Sequence, residues 1–215
     1  TINGGGPVYG VSAGHGSLTV VDPIANSAVE LTIPVRLDDP DNVPSRFPQT
    51  QLQPSYYWGD QLLWGRGGPD GHENSADPHN PMMDQKGRVW MTSTIRPGQN
   101  PDWCVDSEHP SVQQFPLRRA SRHLSYHDTD SEKVVLIDTC YATHHLQFAT
   151  DANDTLWTSG DTNVVGWLNT KMFDETGDER SAQGWCPTVI DTNGDGVITK
   201  PWNEPDSFGD VEIDA

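Results

Sequence analysis

The sequence predicts an all-β protein assembled from repeated antiparallel sheets, and three observations carry that expectation. Apolar residues make up only 33% of the chain, while it holds 20 glycines and 17 prolines, a composition that favours turns and short elements over long amphipathic helices. A first hairpin signal recurs. Residues 83–93 (Met-Asp-Gln-Lys-Gly-Arg-Val-Trp-Met-Thr-Ser) match 150–159 (Thr-Asp-Ala-Asn-Asp-Thr-Leu-Trp-Thr-Ser), placing Trp90 and Trp157 in register 67 residues apart. Each copy reads as an apolar strand, a tight Asp, Asn or Gly turn, and a second strand opening on an aliphatic-Trp pair. A second hairpin recurs as Leu18–Pro23 with Val29–Ile33 and as Leu124–Thr129 with Val134–Ile137, where an apolar strand ends at Asp22 or Asp128 and a β-branched strand returns.

Taken in order, the chain gives an outer hairpin at 17–34, an insertion at 35–76 and an inner hairpin at 77–95. A second insertion at 96–121 precedes an outer hairpin at 122–138, an inner hairpin at 142–160 and an outer hairpin at 164–190. The last of these is interrupted by the loop Asp174-Glu-Thr-Gly-Asp-Glu-Arg180. That is half of one four-stranded unit followed by two whole ones in a single domain spanning 1–215. Four-stranded antiparallel sheets repeated around an axis, each packing only on its neighbours, are the blades of a β-propeller. A ring closes with about four to eight blades, so the remainder is expected on another segment or another chain. A β-sandwich is the alternative architecture.

The inner-hairpin motifs D-x-x-G-x-V-W (Asp84 to Trp90) and D-x-x-D-T-L-W (Asp151 to Trp157), each followed by an outer hairpin, resemble the blades of streptogramin lyase-like (virginiamycin B lyase-like) and NHL-type propellers. The resemblance covers 79–93 and 122–170, and more weakly 17–34. It implies the propeller scaffold. Streptogramin lyases are metal-dependent enzymes that open a cyclic depsipeptide by elimination, so the resemblance also implies that a histidine-plus-metal site is conceivable here. Only the scaffold matches, and such blades host lyases, hydrolases and binding modules alike.

The formal charge of −18, with 13 Lys and Arg spread along the chain, argues against a nucleic-acid partner, which needs clustered basic residues. Acidity suits divalent cations, neutral or cationic ligands, or plain solubility. No run approaches the roughly 18 to 20 consecutive apolar residues of a membrane span. The chain opens at Thr1, as a processed secretory protein or a piece of a longer polypeptide would, and a periplasmic or extracellular location is expected. Cys104, Cys140 and Cys186 form no CxxC motif. Their number gives one disulfide, its pairing open, and one buried thiol.

Residues 191–199, Asp-Thr-Asn-Gly-Asp-Gly-Val-Ile-Thr, match the front of the D-x-[DN]-x-[DN]-G loop that wraps calcium. Asp191, Asn193 and Asp195 are the alternating side-chain ligands, Val197 offers its carbonyl, and Thr199 follows. Trp202 replaces the bidentate Glu of an EF-hand and Pro201 cuts short an exiting helix, so Glu204 or Asp206 is expected to supply the missing carboxylate. An unmetallated Asx-turn is the plain structural reading.

Histidines precede both inner hairpins: His79 in Asp77-Pro-His-Asn-Pro81, and His144 and His145 in Thr143-His-His-Leu146. Innermost strands begin near the propeller axis, so His79 and one of His144 or His145 are expected to meet there. Adjacent strand residues face opposite sides, which leaves only one of the pair for the axis. The spacing to Asp84 and to Asp151 differs by one residue, so equating the two sites calls for a bulge. Converging imidazoles suit a second divalent metal or a general base, with His72 and Glu73 as additional ligands; hydrogen bonds fixing neighbouring sheets are the plain alternative. His15, His109, His123 and His127 are expected at the surface. Tyr57, Trp58 and Trp64 are candidates for stacking a sugar or other small flat ligand, or else belong to an extra strand pair.

Two functions follow. One is a calcium-braced ligand-binding or structural module whose two insertions carry the binding surface. The other is a metal-dependent lyase or hydrolase with His79, His144 and His145 at its site. No nucleophile elbow, P-loop, dinucleotide fingerprint or CxxCH haem motif occurs in the sequence.

Overall fold

In the computed structural model the described residues are 5–13, 16–34, 51–55, 59–63, 76–95, 100–120, 122–159 and 164–188. The hairpin signals become strands of three antiparallel sheets. The first sheet contains β1 (Val8–Ser12), β2 (Ser17–Asp22) and β3 (Ser27–Thr32). A separate two-stranded sheet, β4 (Gln51–Ser55) and β5 (Gly59–Leu63), lies within the first insertion.

The second main sheet runs β6 (His79–Met83), β7 (Val89–Ser93), β8 (His123–Asp128) and β9 (Lys133–Ile137), each strand beside the next in sequence. The third repeats that order with β10 (His145–Phe148), β11 (Thr155–Ser159), β12 (Val164–Asn169) and β13 (Gln183–Pro187). The protein is all-β in its main architecture, and no sheet closes on itself among the described residues.

Matching turns join matching strands. Asp22 Oδ1 accepts from the amides of Ile24 and Ala25, and Asp128 Oδ1 accepts in the same way from Asp130 and Ser131. Both turns end on a non-glycine residue in the left-handed region, Asn26 (φ 51°) and Glu132 (φ 59°). In the inner hairpins Asp84 Oδ1 caps the amides of Lys86 and Arg88, and Asp151 Oδ1 those of Asn153 and Thr155. A short carboxylate two residues upstream of an amide competes with the ladder and forces the chain around.

The sheets stack as layers. Leu18 and Ile33 of the first sheet region pack with Val89 and Met91 of β7. The opposite side of β7 contributes Trp90, which packs with Tyr126 against Leu146, Leu156, Leu168 and Phe173 of the third-sheet unit. Every residue of β7 is therefore buried, and its run Val-Trp-Met-Thr-Ser does not alternate because both faces are covered. The first strands of the layers, β1, β6 and β10, come together along one edge.

The two repeated tryptophans end in opposite environments. Trp90 is fully buried and donates from Nε1 to Asp84 Oδ2 at 2.8 Å. Trp157 occupies the same position in the third sheet, pairs across the ladder with Trp167, and is 43% exposed. The sheet that covers Trp90 has no counterpart over Trp157 among the described residues.

The structure departs from the sequence expectations at several points. β1 is an additional strand, paired along its length with β2. The loop inside the last hairpin holds two short helices, Thr170–Thr176 and Glu179–Ala182. Asn169 and Asp178 cap their N-termini, and Gly177 (φ 67°) ends the first in the left-handed conformation that glycine adopts without a Cβ penalty. The second insertion also docks as a folded segment. A 3₁₀ turn (Asp102–Cys104) and a helix (Pro110–Gln114) hold Cys104 and Val112 against Tyr141, Val164 and Trp185.

Cysteine and histidine burial needs correcting as well. Cys104 pairs with Cys140, while the third thiol, Cys186, is exposed rather than buried. Its strand face is the uncovered one. Three histidines expected at the surface are instead built in. His123 and His127 lie inside β8, 1% and 6% exposed, because both faces of the second sheet are covered. His109 caps the helix beginning at Pro110 and stacks on Trp185 at 5.4 Å.

Candidate functional site: a three-histidine cluster at the inner edge

His79 opens β6, His145 opens β10, and His144 immediately precedes it. Because β6 and β10 adjoin, the three imidazoles meet. The ring centroids lie 4.5 Å apart for His79 and His144, 5.4 Å for His79 and His145, and 4.3 Å for His144 and His145. One potential ligand nitrogen from each lies within 4.8 Å of the other two. Both members of the adjacent pair therefore join the cluster, against the expectation that only one would. His144 sits ahead of the strand, where the alternation of side-chain faces does not yet apply.

The local backbone is shaped to present His79. Asp77 (φ 42°) and Asn80 (φ 52°) flank it, both non-glycine residues in the left-handed region. Such conformations cost energy and persist only where surrounding contacts hold them. Those contacts are present: Arg122 Nη2 pairs with Asp77 Oδ2 at 2.6 Å, and Asn80 Nδ2 donates to Leu146 O at 3.4 Å. The ladder between β6 and β7 shifts register between His79 and Met82. This irregularity puts one extra residue into β6, so that His79 stands opposite Thr92 as His145 stands opposite Ser159, each two residues past its hairpin's tryptophan.

A second layer orients the rings. His79 Nδ1 lies 3.3 Å from His144 O. With the proton on Nδ1 donated to that carbonyl, Nε2 keeps its lone pair for a cation, the arrangement commonly found around metal-bound imidazoles. Thr92 Oγ1 donates to His144 O at 2.9 Å and also lies 3.3 Å from His79 O, tying the two sheets together beneath the rings. The amide of His144 donates to Ser159 O at 2.7 Å.

The geometry is near to that of a metal site. Tetrahedral zinc with nitrogen ligands at about 2.0–2.1 Å places those nitrogens about 3.3 Å apart. The outer limit of 4.8 Å is wider than that, so binding would draw the nitrogens inward. His79 and His144 are half-buried and His145 is exposed, so three nitrogens would hold the ion from the protein side and leave a position open to solvent.

Asp191, Asn193, Asp195, Val197, Thr199 and Glu204, with Asp206, lie outside the described residues. Tyr57, Trp58, Trp64, His72 and Glu73 also lie outside them. Sequence reasoning missed the pair formed by exposed Trp157 and half-buried Trp167, whose ring centroids are 5.6 Å apart. The signal was present in Trp157 itself, which was read only as the counterpart of Trp90.

No family model matches the chain, and neither a curated protein nor a solved structure shows significant similarity to it.

Proposed function

We propose that this chain is a propeller-type binding module of the periplasm or cell exterior, holding a divalent transition metal through His79, His144 and His145. The convergence of those three imidazoles from the first strands of adjoining layers carries the reading. Layered four-stranded sheets whose first strands share an edge support the propeller assignment. The Cys104–Cys140 disulfide supports an oxidising compartment. A calcium ion braced by the 191–199 loop belongs to the same proposal and rests on that loop's sequence. A small molecule or carbohydrate is the ligand class in keeping with the acidic chain, and the remaining blades are supplied by another segment or chain.

The test is metal content after exhaustive chelation and reloading with zinc or cobalt. Wild-type protein is expected to take up one transition-metal equivalent, and His79→Ala and His145→Ala to lose it. Uptake unchanged in both variants would overturn the assignment. Calcium is read separately, by a calcium-dependent rise in melting temperature that Asp191→Ala and Asp195→Ala abolish.

The exposure of His145 favours a second reading, a metal-dependent lyase or hydrolase. Three protein ligands with an open fourth position are the pattern of catalytic rather than structural zinc. In that reading the bound metal would polarise a carbonyl or activate water, while the histidines and their hydrogen-bonded carbonyls hold it in place. Turnover of an ester or lactone probe by zinc-loaded protein, and none by stripped protein, would distinguish it from a binding module.

A further inference from the structure

We infer that the Cys104–Cys140 disulfide sets the metal affinity of the histidine cluster by immobilising the arm that delivers two of its three ligands. The inference rests on the metal reading above.

The arm is the connection 138–144 between β9 and β10. It links the last strand of one sheet to the first strand of the next, and such links usually run over the surface. Here Asp138, Thr139, Cys140, Tyr141, Ala142 and Thr143 are all 2% exposed or less. Polar groups along it are bonded to several different parts of the fold. The Asp138 amide donates to Glu179 Oε2 at 2.9 Å, that of Thr139 to His123 Nδ1 at 3.1 Å, and that of Cys140 to Gln183 Oε1 at 3.0 Å. Asn100 Nδ2 donates to Cys140 O, and Tyr141 Oη to Trp167 O. The Thr143 amide donates to Arg122 O and its hydroxyl to His123 O.

The covalent bond joins this arm to a segment that is itself anchored. Cys104 belongs to the second insertion, which is fastened to β13 by Ser111 Oγ accepting from the Trp185 amide and by Phe115 O accepting from Trp185 Nε1. His109 Nε2 adds a contact to Gln183 O at 2.9 Å. The insertion and the arm are thus locked face to face, with His144 and His145 at the arm's exit. His79 is in turn hydrogen-bonded to His144 O. A displacement of the arm moves all three ligands, and metal sites tolerate little error in ligand position.

The test measures zinc affinity by competition with a chromogenic chelator, in a Cys186→Ser background so that the exposed thiol takes no metal. The paired substitution Cys104→Ala with Cys140→Ala is expected to weaken zinc binding by about 10-fold or more, the loss typical when the groups orienting metal ligands are removed. Asn100→Ala, which keeps the disulfide and releases Cys140 O, is expected to weaken it in the same direction by less. Equal affinity in the paired variant and its parent would overturn the inference. Should near-UV circular dichroism show the paired variant to be unfolded, Asn100→Ala decides: weaker binding supports the inference and unchanged binding overturns it. Failure of the disulfide-intact parent to bind zinc would instead overturn the metal reading itself.

Discussion

Asp84 and Asp151 hold the same place in matched hairpins, and removing each in turn separates the contribution of a turn from that of a buried ion pair. Asp84 is 6% exposed and accepts four hydrogen bonds, from the Lys86 and Arg88 amides, from Arg88 Nε at 2.6 Å and from Trp90 Nε1 at 2.8 Å. Arg88 also reaches Asp174 at 2.5 Å and lies over the rings of Trp90 and Tyr126, 5.2 and 4.8 Å from their centroids. Burial alone would weaken its charged form. The hydrogen bonds it donates to Asp174 and to Asp84 outweigh that effect and hold its pKa above the ordinary value.

Asp84→Ala strands a buried guanidinium with one remaining acidic partner and leaves the Trp90 indole N–H without its acceptor. Breaking a buried pair from one side costs about 3–5 kcal/mol. With a urea m-value of about 2 kcal/mol/M, the unfolding midpoint falls by about 2 M. Asp151 makes the same turn but is exposed, and its remaining side-chain partner is the hydroxyl of Thr155. Asp151→Ala is therefore expected to lower the midpoint far less. Equal midpoints for the two variants would refute the claim that the buried network, rather than the turn, dominates.

Burial lowers the pKa of His127 below the ordinary histidine value of 6.5, against the opposing pull of Asp128 and Glu132. The unfolded chain then takes up a proton that the folded chain resists, so this residue's contribution to stability is intact above pH 6.5 and declines as pH falls below it; His127→Gln should flatten that part of a melting-temperature profile. A Cβ at Gly166 would stand 2.1 Å from the Tyr141 ring. Gly166→Ala is accordingly expected to destabilise by about 1–3 kcal/mol in chemical denaturation. Ellman's reagent should titrate one thiol per native chain, and Cys186→Ser should abolish that signal.

The sheets were legible because their determinants are local. Aspartates two residues ahead of turn amides and β-branched return strands mark hairpins whatever surrounds them. The meeting of His79 with the 144–145 pair followed from the order of those hairpins, since it needed only that inner strands adjoin. What escaped depends on non-local packing. Strand alternation excluded one member of the pair, yet His144 lies before the strand begins. The burial of His123 and His127 depends on the layers laid over both faces of β8, about which their own segment is silent. The disulfide pairing needed the second insertion to fold back onto β13, which no pattern in 96–121 announced. β1 was overlooked because Val8–Ser12 is short and carries Gly10 at its centre.

The unequal burial of the two equivalent tryptophans gives the molecule an internal optical reference. The Trp90 indole, enclosed and hydrogen-bonded to a carboxylate, should be shielded from a collisional quencher in solution. The indole of Trp157 meets such a quencher directly. Any layer that settles on the third sheet, whatever chain it comes from, would convert Trp157 into a second Trp90: its emission would shift to the blue and its access to acrylamide would fall. Coverage of the third sheet can thus be followed by fluorescence, through the residue whose repetition first revealed the sheets.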